Sequence, residues 1–326
     1  MTPPPFVSAI IPVYNQKEIL EQNYPSWLEQ AYPKDRFELI VVDDGSTDGL
    51  ENYVQEMSRL GPVCIKYFHQ DHKGPSAARN LGVREARGEI VAFSDADCRL
   101  AADWILEISQ GYADERVAGV GGTSRAMPTK SMVSQYCGYV RMNEWPVRSE
   151  GTIAYIITGN ASFRKEYLTA VGGFDERYAW PGGEEPDLCY RLSQKGYIFK
   201  HNRRAIVYNP HKQNLVELLR TFFCYGMGDA FLVLTKFSRW DLVSVRGITW
   251  LYCFFKALLR SIFFFIMTFK YFIKFPFQII LYYGEGLSFL RALVYAFFEC
   301  TKNLAFQYGC ITGYMLGKFK GFRKRG

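Results

Sequence analysis

No Cys-x-x-Cys pair occurs in the 326 residues. The eight cysteines, at 64, 98, 137, 189, 224, 253, 300 and 310, are scattered, so neither a clustered zinc site nor a disulfide framework is indicated and a reducing compartment is expected. No Gly-x-Gly-x-x-Gly follows the first strand-like run and no Gly-x-x-x-x-Gly-Lys-Ser/Thr is present, which excludes a dinucleotide fingerprint and a phosphate loop. Internal repeats are absent. Met1-Thr2-Pro3-Pro4-Pro5 has no charged segment leading into a long apolar one, so no cleavable signal peptide is expected. Long hydrophobic runs are also scarce. In the aromatic stretch from Trp250 to Phe275 the longest run free of charge, Ser261 to Phe269, is nine residues, against the about 20 that a membrane span requires.

Hydrophobic residues make up 48% and charged residues 22%, enough apolar surface for a sizeable core. The net charge of +7 is unevenly distributed. Residues 241–326 carry 12 Lys/Arg against 3 Asp/Glu, and the preceding 240 carry 27 against 29. In a 3.6-residue period Lys256, Arg260, Lys270 and Lys274 fall within an arc of about 80° with Phe and Leu elsewhere, the pattern of a helix lying in a membrane interface. Lys318, Lys320, Arg323, Lys324 and Arg325 form a basic tail suited to anionic headgroups. Gly309 and Gly313 are spaced for close helix packing. The sequence thus divides into 1–235, a globular domain, and 236–326, a helical, basic, aromatic-rich region expected to associate with a membrane surface. Nucleic acid is a weaker reading of the same charge, because the cluster is short and the other half is acidic.

The first part alternates apolar runs with helical patterns. Val7 to Asn15, Phe37 to Val42, Val63 to Phe68 and Ile90 to Phe93 read as strands, and segments containing Leu20 and Trp27, Leu50 to Leu60 and Ser76 to Arg87 as helices. Solid apolar strands between helices predict an α/β fold with a mostly parallel sheet covered on both faces. In such sheets ligands bind beyond the carboxyl ends of the strands. Polar residues collect there: Pro12 to Asn15, Asp43 to Ser46, and Asp95-Ala96-Asp97. Two carboxylates one residue apart suit a hard divalent cation with oxygen ligands. Without a glycine-rich cradle, a bound diphosphate must be neutralised otherwise. A cation on Asp95 and Asp97 would do it, assisted by Lys73 or Arg79.

A second acidic cluster, Glu184-Glu185-Pro186-Asp187, opens a helix whose Leu188 and Leu192 face the core. A carboxylate apart from the metal pair could serve as a general base, taking the proton of a hydroxyl. Upstream, Gly119 to Thr123 reads as a glycine-rich strand end, and Ile153 to Phe163 as a strand into a turn.

Four segments in order carry a family resemblance: Ile10-Ile11-Pro12-Val13-Tyr14-Asn15, Val41-Val42-Asp43-Asp44-Gly45-Ser46-Thr47-Asp48, Gly74-Pro75-Ser76-Ala77-Ala78-Arg79-Asn80 and Ser94-Asp95-Ala96-Asp97. Together they resemble family 2 glycosyltransferases of the GT-A fold, over roughly Val7 to Gly228. The resemblance implies an inverting transferase that uses a nucleotide-diphosphate sugar, UDP by default, with Mn2+ or Mg2+. It also implies that Pro12, Tyr14 and Asp44 contact the base and that Asp95 and Asp97 handle ribose and metal. Asn15, Asp43, Lys73, Arg79 and Ala96 complete the expected nucleotide-sugar set. One of Asp43 and Asp44 is expected to serve only the turn. Where the family usually has Glu-Asp, this sequence has Glu184-Glu185. The base is assigned to Glu185, with Glu184 and Asp187 as alternatives. His211 resembles a downstream histidine that can complete the metal shell.

Lys236-Phe237-Ser238-Arg239-Trp240 departs from the Gln-x-x-Arg-Trp of processive polysaccharide synthases, so a single addition is expected. The acceptor would be a lipid-linked or cell-surface glycan, and the location the cytoplasmic face of the cell membrane. Two other readings fit the residues less well. A non-catalytic nucleotide-sugar-binding or scaffolding protein would not need carboxylates at both places. A sugar nucleotidyltransferase would carry a basic, glycine-rich first loop, which Pro12 to Asn15 is not.

Overall fold

A computed structural model of the chain describes residues 3–140, 151–178, 182–236, 271 and 273–320. It divides into two compact units, one of residues 1–130, 137–179 and 184–211, the other of 131–136, 180–183 and 212–326. The helix Leu215–Lys236, which the sequence reading assigns to the globular domain, belongs to the second.

The first unit is built on one sheet of nine strands: β1 (Val7–Val13), β2 (Phe37–Asp43), β3 (Cys64–His69), β4 (Ile90–Ser94), β5 (Arg99–Leu100), β6 (Val117–Ala126), β7 (Thr152–Ile153), β8 (Asn160–Arg164) and β9 (Ile198–Asn209). Their order is β3-β2-β1-β4-β8-β6-β9-β5, with β7 beside β9. The helices are α1 (Lys17–Leu28), α2 (Leu50–Leu60), α3 (Pro75–Glu85), α4 (Trp104–Ile108), α5 (Met132–Tyr139), α6 (Lys165–Ala170) and α7 (Glu184–Ser193), and Leu215–Lys236 is α8.

Successive residues of β1 and β2 face opposite layers. Val7, Ala9, Ile11, Leu39 and Val41 pack with Leu20, Tyr24 and Trp27 of α1 and Trp104 of α4. Ile10, Ile40 and Val42 pack with Ala78 and Val83 of α3 and Leu188 and Leu192 of α7. Both parities are buried, which is why these strands read as solid apolar runs.

The sheet is mixed, with most of its paired residues in parallel ladders. β3, β2, β1 and β4 pair in parallel in that order, as do β6 and β9. β8 then runs antiparallel to both β4 and β6, and β5 and β7 run antiparallel to β9. An apolar run is the same read in either direction, so the pattern does not encode strand polarity. Gly119 to Thr123 is not a strand end but lies inside β6. A Cβ on Gly119 would come within 2.7 Å of Phe163 Cδ1, and one on Gly122 within 2.3 Å of the Ala205 carbonyl oxygen, so glycine is demanded by the neighbouring strands. The turn expected in the Ile153–Phe163 stretch lies between β7 and β8, and Asn160–Arg164 after it is a second strand.

In the second unit, α8 packs on the helix Phe289–Lys320 through glycines. A Cβ on Gly309 would lie 1.9 Å from the Phe223 carbonyl oxygen and one on Gly313 2.8 Å from that of Met227, so the close packing expected at both positions is present. Glu299 accepts from Lys302 Nζ at 2.8 Å and from the Tyr136 hydroxyl, pinning residues 131–136 to that helix. No described helix is long and apolar enough to cross a membrane. The interfacial stripe lies outside the described residues except for Lys274, as does most of the Lys236–Trp240 segment; the basic tail has no described side chains.

Candidate active site

The carboxyl ends of β1 and β2 are tied into one surface. Asn15, in the left-handed region at φ +50°, accepts from Thr47 N at 2.9 Å, and its own N–H donates to Ser46 Oγ at 2.9 Å. Its polar side chain clamps the two loops together. Asp43 is buried, accepting from Ser46 N at 2.7 Å and the Tyr67 hydroxyl at 2.6 Å. Asp43 is therefore the turn residue of the pair. Burial first, and then the Asp43 hydrogen bond, push the Tyr67 phenol well up.

Asp44 gathers the loop after β3. Its Oδ1 accepts from Gln70 Nε2 at 2.7 Å and Lys73 N at 2.8 Å, and its Oδ2 from Gly74 N at 2.9 Å. Gly74 adopts φ +94°, and Pro75 at the first position of α3 starts the helix where no N–H partner is needed. Pro12 is partly exposed, and Tyr14 is 45% exposed with one ring face on His72. The Lys73 side chain is exposed.

At the end of β4, Asp95, Asp97 and Cys98 present ligand atoms all within 4.8 Å of one another. Both carboxylates are half-buried, and Gly159 gives Asp95 room, since a Cβ there would lie 3.0 Å from Oδ2. Two carboxylates this close favour a cation between them, and their oxygens suit Mn2+ or Mg2+. Burial, and after it Asp97 and Asp95, push the Cys98 thiol far up, which keeps it protonated and a poor partner for a hard ion. Ala96 is fully buried and its carbonyl accepts from Asn23 Nδ2, so its side chain has no face toward a ligand and it acts as the spacer that turns its neighbours outward. His211, buried and at φ +48°, lies outside this three-residue group. Its N–H donates to Asn209 Oδ1 at 2.8 Å, and Asn209 Nδ2 reaches Cys98 Sγ at 3.4 Å, which ties the His211 loop to the back of the acidic pair.

The two acidic clusters meet at Arg79. The Arg79 guanidinium is 8% exposed and stands 3.8 Å from Asp95 Oδ1 and 3.6 Å from Glu184 Oε1. Its Nε and Nη1 make no hydrogen bond among the described residues. The Phe174 ring lies beneath it at 5.7 Å. Next to Glu184, the half-buried Glu185 accepts from Thr158 Oγ1 at 2.8 Å and Thr158 N at 3.1 Å. Burial, then the negative charge of Glu184, push its carboxyl up to about 7, against the opposing pull of Arg79 and Thr158. Asp187, an alternative base by sequence, is fully buried and paired with Arg191 Nε at 2.7 Å, which makes it a structural anchor of α7. Glu184, also buried, faces Arg79 at 3.6 Å.

Beside Thr158 a small pocket is lined by Gly121, Gly122, Ser124, Ile153, Ile156, Ile157, Asn160 and His201. The sequence reading missed His72, Thr158 and the bridging position of Arg79. None has a local signal: Thr158 follows an ordinary apolar run and His72 sits in a polar loop, and both acquire partners from distant segments.

Residues 8–171 match the family described as glycosyl transferase family 2, and residues 90–290 match glycosyl transferase family group 2. Glycosyltransferase AglE of Haloferax volcanii is 28% identical over 69% of this chain and 73% of its own length. Chondroitin synthase of Escherichia coli is 30% identical over 64% of this chain, and the pre-mycofactocin glycosyltransferase of Mycobacterium tuberculosis is 30% identical over 58%. The matches span only 35% and 40% of those two proteins. Among solved structures, a mannosyltransferase from Pyrobaculum calidifontis in complex with GDP-Man and Mn2+ superposes with a TM-score of 0.57 at 24% identity, covering 71% of this chain and 65% of its own. GalNAc-T7 with UDP, GalNAc and Mn2+ gives 0.52 at 16% identity, covering 71% and 51%. At these identities the structural likeness speaks for the fold alone.

Proposed function

Because the chain belongs to glycosyl transferase family 2, we propose that it moves a single sugar from a nucleotide-diphosphate sugar, UDP-linked in the first instance, to a hydroxyl of a lipid-linked or cell-surface glycan, with inversion. The observation that carries the reading is Arg79, within 4 Å of both Asp95 and Glu184. One guanidinium thus stands within ion-pair reach of a carboxylate from each acidic cluster, which supports a leaving-group side and an acceptor side next to each other.

Pro12, Tyr14 and Asp44 would hold the base, and Asp95 and Asp97 the divalent cation. When bound, Mn2+ or Mg2+ neutralises the charge that develops on the leaving diphosphate. Arg79 and Lys73 supply further positive charge on that side. The acceptor oxygen attacks the anomeric carbon while the bond from that carbon to the diphosphate oxygen breaks and its electron pair leaves with the diphosphate. Glu185 takes the acceptor proton. A carboxyl near 7 is poised for this, since a substantial fraction is ionised at neutral pH and the conjugate acid still holds the proton. Thr158 orients the carboxylate.

Membrane association belongs to the same reading. Phe277, Ile280, Leu281, Tyr283, Phe289 and Leu290 are each more than half exposed in the second unit, and that part of the chain is basic. Both features favour a peripheral or monotopic seat on the anionic inner face of a membrane. Binding to phosphatidylglycerol vesicles that weakens at high salt, with little binding to neutral vesicles, is the expected outcome; equal partition to both would remove the electrostatic part.

Transfer is tested with a panel of UDP-, GDP- and dTDP-sugars with and without Mn2+. Asp97→Ala and Glu185→Gln are each expected to abolish it while the melting transition persists. Substantial activity in either variant overturns the mechanism.

A further inference from the structure

The loop after β3 carries a side chain to which the donor-site reading gives no role. His72 lays its imidazole on the Tyr14 ring, with centroids 4.1 Å apart and planes inclined by 24°. Its Nδ1 lies 2.9 Å from Asp44 Oδ2. A ring stacked on tyrosine and a ring nitrogen on a carboxylate are the two contacts by which a protein grips a nucleobase. At this separation no third ring fits between the two.

Asp44 is also crowded. Gln70 Nε2 and Lys73 N donate to Oδ1 and Gly74 N to Oδ2, while His72 Nδ1 lies 3.1 Å from the Asp44 main-chain oxygen and 2.9 Å from Oδ2, beside the one acceptor position of the carboxylate that is left. A base N–H can reach that position only where His72 leaves it. The two backbone N–H groups are fixed in the loop, which is further held by Gln70 N on the Asp43 carbonyl at 2.9 Å. The Gly45 backbone packs against His72, since a Cβ there would lie 3.0 Å from the His72 nitrogen. The His72 side chain itself is 57% exposed, so it can rotate into water with no movement of the loop.

We propose that His72 is a surrogate base. Its imidazole fills the nucleobase seat of the free protein and swings out when a nucleoside diphosphate arrives. The inference rests on the donor-site reading of Tyr14 and Asp44. Its consequence is that nucleotide affinity is reduced by the fraction of molecules in which the seat is filled, and that a ligand must supply both the stack and the N–H to displace the plug.

The test is calorimetric titration of UDP, and of GDP, into the full chain with Mn2+, for the wild type, His72→Ala and Tyr14→Ala. His72→Ala is expected to bind about 3- to 10-fold more tightly, and Tyr14→Ala more weakly than wild type. Equal or weaker binding by His72→Ala, at an unchanged melting temperature, overturns the plug and makes His72 a wall of the site instead. A second readout is the imidazole proton spectrum, which has only four histidines to resolve. The His72 signal, identified by its loss in His72→Ala, should move from a ring-current-shifted position to that of a solvent-exposed histidine as UDP is added. A signal that stays shifted at saturation overturns the proposal equally. Failure of both nucleotides to bind wild type and His72→Ala alike would take down the donor-site reading and this inference with it. Binding with an unchanged His72 signal would take down the inference alone.

Discussion

Replacing Thr158 by valine offers the sharpest probe of the base assignment. Thr158 is 1% exposed and gives Glu185 two hydrogen bonds, from Oγ1 at 2.8 Å and from N at 3.1 Å. Valine keeps the volume and the backbone N–H and removes the hydroxyl. A hydrogen bond to a charged group contributes about 1.5–3 kcal/mol, and the protonated carboxyl retains part of it, so the differential loss is about 1.4 kcal/mol, or about one pH unit. The carboxyl, already pushed up to about 7 by burial and Glu184, would move upward by about that amount. At pH 7 the ionised fraction would fall from about one half to about one tenth, so kcat/KM would drop about fivefold. At pH 9 both proteins would be ionised and nearly equal. The assay is the pH profile of kcat/KM from 5.5 to 9.5 with a constant-ionic-strength buffer. A rising limb that stays in place, or a loss of the same size at every pH, would refute the role given to Glu185 and reduce Thr158 to packing.

Glu185 also links to stability. Its folded carboxyl is raised above the usual carboxylate range to about 7, so between those two points the folded state holds more protons than the unfolded one and stability declines as pH rises across that window. Glu185→Gln should therefore raise the melting temperature at pH 8 more than at pH 4, by the equivalent of about 1–3 kcal/mol at pH 8, and equal shifts at both pH values would contradict the charged-state argument. Gly309→Ala introduces a methyl toward a carbonyl oxygen 1.9 Å from the ideal Cβ position. The two helices must separate, at about 1–3 kcal/mol, read as a lower urea midpoint for the second unit; an unchanged midpoint would mean that the contact at Phe223 is dispensable.

Much of this was legible residue by residue. β1, β2 and β4 announce themselves as solid apolar runs because both faces of those strands are buried. The turn after β2 is visible because Asp-Gly-Ser-Thr-Asp is local hydrogen-bonding chemistry. The division of labour between Asp43 and Asp44 was anticipated only as a division. Which residue does which depends on Tyr67, Gln70 and Gly74, all on another strand and its loop. Asp187 was a candidate because acids in the first turn of a helix look alike in sequence; burial against Arg191 separates it from Glu185.

The sequence by itself determined β1 to β4, the helices between them and the two acidic clusters at element ends, because each follows from periodicity and turn chemistry that act within a few residues. Tertiary structure alone decided the reversed direction of β8, the glycines inside β6, the seat of His72 on Tyr14 and the position of Arg79 between Asp95 and Glu184. Those depend on which distant segments are packed side by side, and a buried guanidinium has charged partners only after the fold has brought residues 79, 95 and 184 within ion-pair reach.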